Sequence, residues 1–353
     1  MTNILKGNQR NNVKDIPVIT GGFIFGNQQG GNGFTMDSGA TASAMAFLVG
    51  ELEKRAPHLL EPLTSTTWPR DIAVAMGGGW VENVSAYNVG YSDAGAGENG
   101  LGRGQTNEIP IIGVNTAKDL WDVFTFLRLV HVPLVDQNLL RTAGRSLDEM
   151  MTKGLHLTYD KTVDENVYVG FAALGTTGIV NNANVMVSSV PVGARGSTTW
   201  ATKTADEILD DINAIMTETW TNSEYDLQGM ANHILLTPVN YGLLVTRKVS
   251  EAGNMSLLNY ILENNIGRNQ GVDLSIFPCR WLIGMGLGGT DRMVAYANNR
   301  DTIEFDMTVP LQRTITQASA THHAYISAYA AQFSEVKVKR LQPIGLCYTY
   351  LDN

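Results

Sequence analysis

The sequence predicts an α+β fold. Strand-type alternation is concentrated late in the chain, and amphipathic helical periodicity occupies its middle. A long glycine-rich excursion in the first third carries too few apolar residues to build a core of its own.

Residues 1–37 are rich in Asn, Gln and Gly, and the first fifteen are polar, with Lys6, Arg10 and Lys14 ahead of Asp15. They read either as a frayed terminus or as an arm that orders on a neighbouring chain. Their start lacks the apolar run of a signal peptide. A helix is predicted over 38–55, where Ala42, Met45, Ala46, Val49 and Leu52 recur at helical spacing. Asp37 or Ser38 caps it, and Pro57 marks its end.

Residues 65–112 predict a long hairpin. Gly77 to Gly79 open it, Trp80 to Tyr91 supply β-formers, and Gly90, Gly95, Gly97, Gly100, Gly102 and Gly104 crowd its tip. Ile109, Ile111 and Ile112 suggest the return strand.

A strand is predicted at 123–132. Asp136 then caps a helix of about 25 residues with Leu140, Ala143, Leu147, Met150, Gly154 and Leu157 on one face. Gly144 and Gly154 each cost that helix about 1 kcal/mol relative to alanine, so they suggest close approach by another backbone. Thr204 and Glu207 form a capping box ahead of Ile208, Leu209, Ile212, Ile215 and Met216. Further helices are predicted at 238–248 and 256–264, and strands at 233–236, 272–277 and 292–297. Ile303, Phe305, Met307 and Val309 then alternate with Thr302, Glu304, Asp306 and Thr308, and Val336 and Val338 with Lys337 and Lys339. Both patterns predict strands with one apolar and one polar face.

Composition narrows the function. Apolar residues make up 44% of the chain, so a large core is available, while charged residues reach only 17%, as suits a subunit that buries surface against neighbours. A net charge of −9 argues against wrapping nucleic acid in a basic groove. Cys279 and Cys347 are too far apart in sequence for a zinc spacing. His322-His323, read as part of a strand, would point to opposite faces. No stretch is long and apolar enough to span a bilayer.

Two motifs mimic catalytic signatures. Asp37-Ser38-Gly39-Ala40 matches the aspartic-protease string, but that chemistry needs a second carboxylate motif, which the chain lacks. Gly95-x-Gly97-x-x-Gly100 matches the dinucleotide string, but the residues after it cannot form the helix that would hold a pyrophosphate. Gly284, Gly286, Gly288 and Gly289 likewise read as a loop.

The order of elements resembles the major capsid proteins of tailed bacteriophages and their relatives, the encapsulin shell proteins. The segment VPLVDQNLLRTAGRSLDEMMTKGLHLTYDKTVDENVYVG resembles the family's spine helix, and Gly175-Thr-Thr-Gly178-Ile179-Val180-Asn181-Asn182 resembles a turn often written Gly-Leu-Leu-Asn. The strands around Pro343 resemble its last strand pair.

The resemblance implies the phage major capsid fold. It places an N-terminal arm at 1–37, an extended loop at 65–112 and an axial domain at 195–305. A peripheral domain takes 38–64, 113–194 with the spine helix, and 306–353. It implies a structural, non-enzymatic protein without cofactor or metal, acting in the virion and assembled in the host bacterial cytoplasm. Implied partners are further copies in hexamers and pentamers, portal and scaffolding proteins, a decoration protein and packaged DNA. The alternative is an encapsulin-like compartment around a cargo enzyme. Arg70, Asp71, Arg103 and Glu108, scarce charges in the loop, are the candidates for inter-subunit ion pairs. Some family members join a loop lysine covalently to an asparagine of another subunit. No lysine lies between Lys54 and Lys118, so a loop bounded at 65–112 predicts no such link.

Overall fold

The computed structural model describes residues 66–94, 111–142, 146–249, 255–339 and 348–352. The arm at 1–37, the helix expected over 38–55, the Asp37-Ser38-Gly39 motif and the glycine-rich tip at 95–110 lie outside the described residues.

A short helix α1 (Trp68–Asp71) leads into β1 (Ala73–Met76). Next come β2 (Asn83–Ala94) and β3 (Ile111–Pro133), paired antiparallel from Asn83↔Asp122 to Ala94↔Ile111. The strands expected near 109–112 and at 123–132 are thus one element of 23 residues. Its lower half pairs with β10 (Ala324–Ser334), which pairs in turn with β9 (Val309–Ser319). The resulting order is β2-β3-β10-β9. His322 and His323 lie in the β9–β10 turn rather than a strand, with His323 at φ 46°.

The single long helix of the sequence reading is two helices, α2 (Leu134–Thr142) and α3 (Leu147–Tyr168). Ser146 starts the second, its hydroxyl accepting from the Glu149 N–H. Helical phase restarts there, so the predicted stripe is displaced. The buried face of α3 is Leu155, Tyr159, Val163 and Val167, whereas Met150 is exposed. A Cβ on Gly154 would meet open space, so no described residue approaches it closely.

The turn after α3 is stitched to the helix end. Ile179 and Val180 donate to the Val167 and Tyr168 carbonyls at 2.9 Å each. Asn181 accepts from the Gly178 N–H at 2.8 Å and donates to the Val169 carbonyl at 2.7 Å. A Cβ on Gly178 would sit 2.3 Å from the Tyr168 carbonyl, which explains the glycine.

A second core surrounds a five-stranded sheet. It contains β4 (Met186–Ser189), β5 (His233–Leu236), β6 (Ser275–Pro278), β7 (Arg292–Tyr296) and β12 (Tyr348–Asp352), in the order β4-β12-β7-β5-β6. Helix α4 (Ala205–Asn222) covers it with Ile208, Ile212, Ile215 and Met216, and its Thr204–Glu207 capping box is formed. Helices α5 (Pro238–Thr246), α6 (Leu257–Asn264) and α7 (Ile266–Asn269) complete that layer.

The third sheet places β8 (Ile303–Met307) between β1, parallel, and β11 (Val336–Val338), antiparallel. The expected polar face is not in solvent. Glu304, Asp306 and Lys337 are all buried, because Lys337 bridges Glu304 at 2.9 Å and Asp306 at 2.5 Å. Alternation located the strand, but ion pairing decided its burial.

Candidate functional site

Asp71 ends α1 with no exposed surface. Its carboxylate accepts from Arg70 Nε at 2.6 Å and Nη2 at 2.8 Å, and from the Tyr168 hydroxyl. His233 Nε2 on β5 lies 3.2 Å away, and the Tyr296 hydroxyl of β7 donates to the Asp71 carbonyl. Burial pushes the Asp71 carboxyl up, but the bonds from His233, Arg70 and Tyr168 outweigh it and hold the group below the ordinary carboxylate value. Burial, then Asp71 itself, push the Tyr168 phenol up.

Asp164 makes a second junction on α3. It accepts from the Thr67 N–H at 3.1 Å, Trp281 Nε1 at 2.9 Å and Arg280 Nη2 at 3.2 Å. Together the two carboxylates and the Asp71 carbonyl fasten residues 67–71 to α3, β5, β7 and the 280–281 turn. Nothing in this cluster is poised as a nucleophile: burial pushes the neighbouring Cys279 thiol up to about 12, so it stays protonated. The junction positions chain segments.

From that junction the chain runs through β1 to the base of the β2–β3 ribbon. Gln332 of β10 clamps that base, accepting from the Val81 N–H at 3.1 Å and donating to its carbonyl at 2.6 Å. Above the clamp the ribbon leaves the core. Tyr87, Val89 and Tyr91 pair in register with Lys118, Thr116 and Val114, so all share one face with Ile112 and Leu120. Tyr87, Val89, Tyr91, Ile112, Val114 and Leu120 are 53–78% exposed. Six large apolar side chains on one face that no described residue covers are unusual for a monomer and mark an interaction surface.

The sequence-based candidates separate. Asp71 is withdrawn from the inter-subunit set: it is fully buried and satisfied within its own subunit. Arg70 is part-exposed, but its guanidinium is committed to Asp71 and lies 4.2 Å from the Phe277 ring centre. Arg103 and Glu108 lie outside the described residues. Sequence reasoning missed His233, Tyr168 and Asp164, since a histidine beside an apolar run and an Asp and a Tyr on a polar helix carry no local signal of partners distant in sequence. The loop boundary also changes. The ribbon reaches Asp122, so it includes Lys118, whose ammonium lies 5.7 Å from the Tyr87 ring centre. The ribbon thus carries a lysine that the bounds 65–112 left out, and it is not the lysine-free loop expected from the sequence.

A family model for the major capsid protein matches residues 97–349. The chain belongs to the major capsid protein family. Its fold is that of phage capsid subunits. The capsid of Myoviridae phage XM1 aligns with a TM-score of 0.71 at 16% identity, covering 86% of this chain and 97% of that one. A chain of Microbacterium phage Oxtober96 gives 0.58 at 12% identity over 88% and 98%. The capsid of a native GTA particle gives 0.56 at 10% identity over 88% and 98%. No curated protein matches the sequence. This capsid protein is a structural component of the virion shell. Among the described residues, no helix is long and apolar enough to cross a membrane.

Proposed function

We propose that this capsid protein self-assembles into hexamers and pentamers of an icosahedral shell that encloses double-stranded DNA. The uncovered apolar face of the ribbon carries the reading. Burying a Val, Leu, Ile or aromatic side chain contributes about 1.5–3 kcal/mol, so six supply on the order of 10 kcal/mol before the costs of association. No element among the described residues covers that face, so the cover is assigned to a neighbouring subunit. Many such contacts per shell make weak single interfaces sufficient.

Assembly in the host bacterial cytoplasm, with portal and scaffolding proteins as partners and a decoration protein on the outside, follows from family resemblance. With a net charge of −9, contact with packaged DNA is local and non-specific.

Negative-stain microscopy of the purified protein tests the proposal, with extraction of nucleic acid from the particles. Closed shells containing DNA are expected, whereas monomers under conditions that support virion assembly would overturn it. Deleting 92–104 should leave a folded, soluble subunit that makes no stable shells, and normal shells from that variant would remove the ribbon from the account.

A further inference from the structure

His322-His323 fails as a metal-binding pair only if it lies in a strand, where the two rings point apart. It lies instead in the turn between β9 and β10. That turn folds back against the end of β3, where the Leu134 N–H donates to the His323 carbonyl at 3.1 Å. The fold-back brings His322 to His131 of β3, whose own strand partner is Ile326 of β10. The two imidazoles stand edge to face, with ring centres 6.0 Å apart and planes at 84°.

The nitrogens of the pair are placed for a ligand. His322 Nδ1 lies 3.1 Å from the Ser319 hydroxyl, which also accepts from the His322 backbone N–H at 3.4 Å. In the tautomer that donates Nδ1–H to this hydroxyl, Nε2 carries the lone pair, and the serine orients the ring as an outer partner does at a metal centre. His131 Nε2 is buried and has no hydrogen-bond partner among the described residues. Buried polar atoms are rarely left unpaired, and a bound ion is one way to satisfy such an atom.

Imidazole is a donor that Zn2+, Cu2+ and Ni2+ prefer, whereas Mg2+ and Ca2+ take oxygen. With each nitrogen about 2.0–2.1 Å from a tetrahedral ion, two ring centres stand about 5 Å apart. The observed 6.0 Å closes to that by rotation of the exposed His322 side chain. Among the described residues no set of three His, Cys, Asp and Glu side chains is arranged to hold an ion, so water takes the remaining positions. We propose that His131 and His322 bind one divalent transition-metal ion of the zinc, copper and nickel class. The ion ties the β9–β10 turn to the end of β3, where that strand hands over to α2. The site is built within one subunit and stands apart from the shell reading.

Titration calorimetry of the full-length, unassembled chain tests it, with ZnCl2 as the probe and MgCl2 as the control. One ion per chain is expected from zinc and none from magnesium. His322→Asn changes an exposed turn residue and should leave the fold intact. It should weaken zinc binding by at least about tenfold, as should His131→Asn, while His323→Asn binds like wild type. Zinc at about 100 times its Kd should raise the wild-type Tm by about 3–5 °C, reversed by EDTA, and leave the Tm of His322→Asn unchanged. Electron paramagnetic resonance of wild type with one equivalent of Cu2+ needs no variant and should show coupling from two imidazole nitrogens. No zinc binding, undiminished binding in His322→Asn, or copper coupled to a single imidazole would each overturn the proposal. The edge-to-face ring contact alone would then account for the pair.

Discussion

Replacing Asp71 by alanine tests the buried junction most directly. The substitution removes an acceptor that holds Arg70, Tyr168 and His233 at once. The three donors lose unequal amounts. Arg70 is one-third exposed and turns to water at little cost. Tyr168 keeps Thr67 Oγ1 at 2.8 Å. His233 is 4% exposed, and its Nε2 is left facing a cavity. Removing one partner of a buried ion pair costs about 3–5 kcal/mol, and the retained bonds place this case near 3. Asp71→Asn keeps the shape and one acceptor oxygen, so about half that loss is expected. Urea unfolding of the unassembled subunit, followed by the fluorescence of Trp68 and Trp281, measures both. A loss under about 1 kcal/mol for Asp71→Ala, with an unchanged denaturant slope, would refute the claim that this carboxylate fastens α1 to α3 and β5.

Two further outcomes follow from the same region. The folded-state Asp71 carboxyl is held below its unfolded value near 3.9, so its stabilisation is complete above about pH 4–5 and lost as pH falls through the folded value. The stability difference between wild type and Asp71→Asn should therefore be flat from pH 8 to about 5 and close at lower pH; a difference that widens on acidification would contradict the sign. At the turn after α3, Gly178→Ala forces a methyl to within 2.3 Å of the Tyr168 backbone, where no side chain can yield. It should cost at least about 2 kcal/mol in the same assay, whereas Gly154→Ala on the open face of α3 should stabilise by up to about 1 kcal/mol.

The sequence by itself determined the elements whose signals are local. The capping box at Thr204 and Glu207, the strand at 233–236 and the alternation from Ile303 rest on hydrogen bonding and side-chain period within a few residues, and all three stand where they were placed. It also marked a long hairpin at 65–112 from its β-formers and crowded glycines, but read its arms as poor in apolar residues, whereas one face carries Tyr87, Val89, Tyr91, Ile112, Val114 and Leu120. Phase and partnership were decided by the tertiary structure. The restart of helical phase at Ser146 moved the buried face of α3 onto Leu155, Tyr159, Val163 and Val167. Asp71 looked like a loop charge until residues distant in sequence, Tyr168, His233 and Tyr296, closed around it. Lys337 looked like a solvent residue until Glu304 and Asp306 neutralised it inside the sheet. The two faces of β3 became distinguishable only once its upper half was paired with β2 and its lower half with β10. A strand's own residues fix which side chains share a face, but only the elements packed against it decide which face is buried and which is left for another copy.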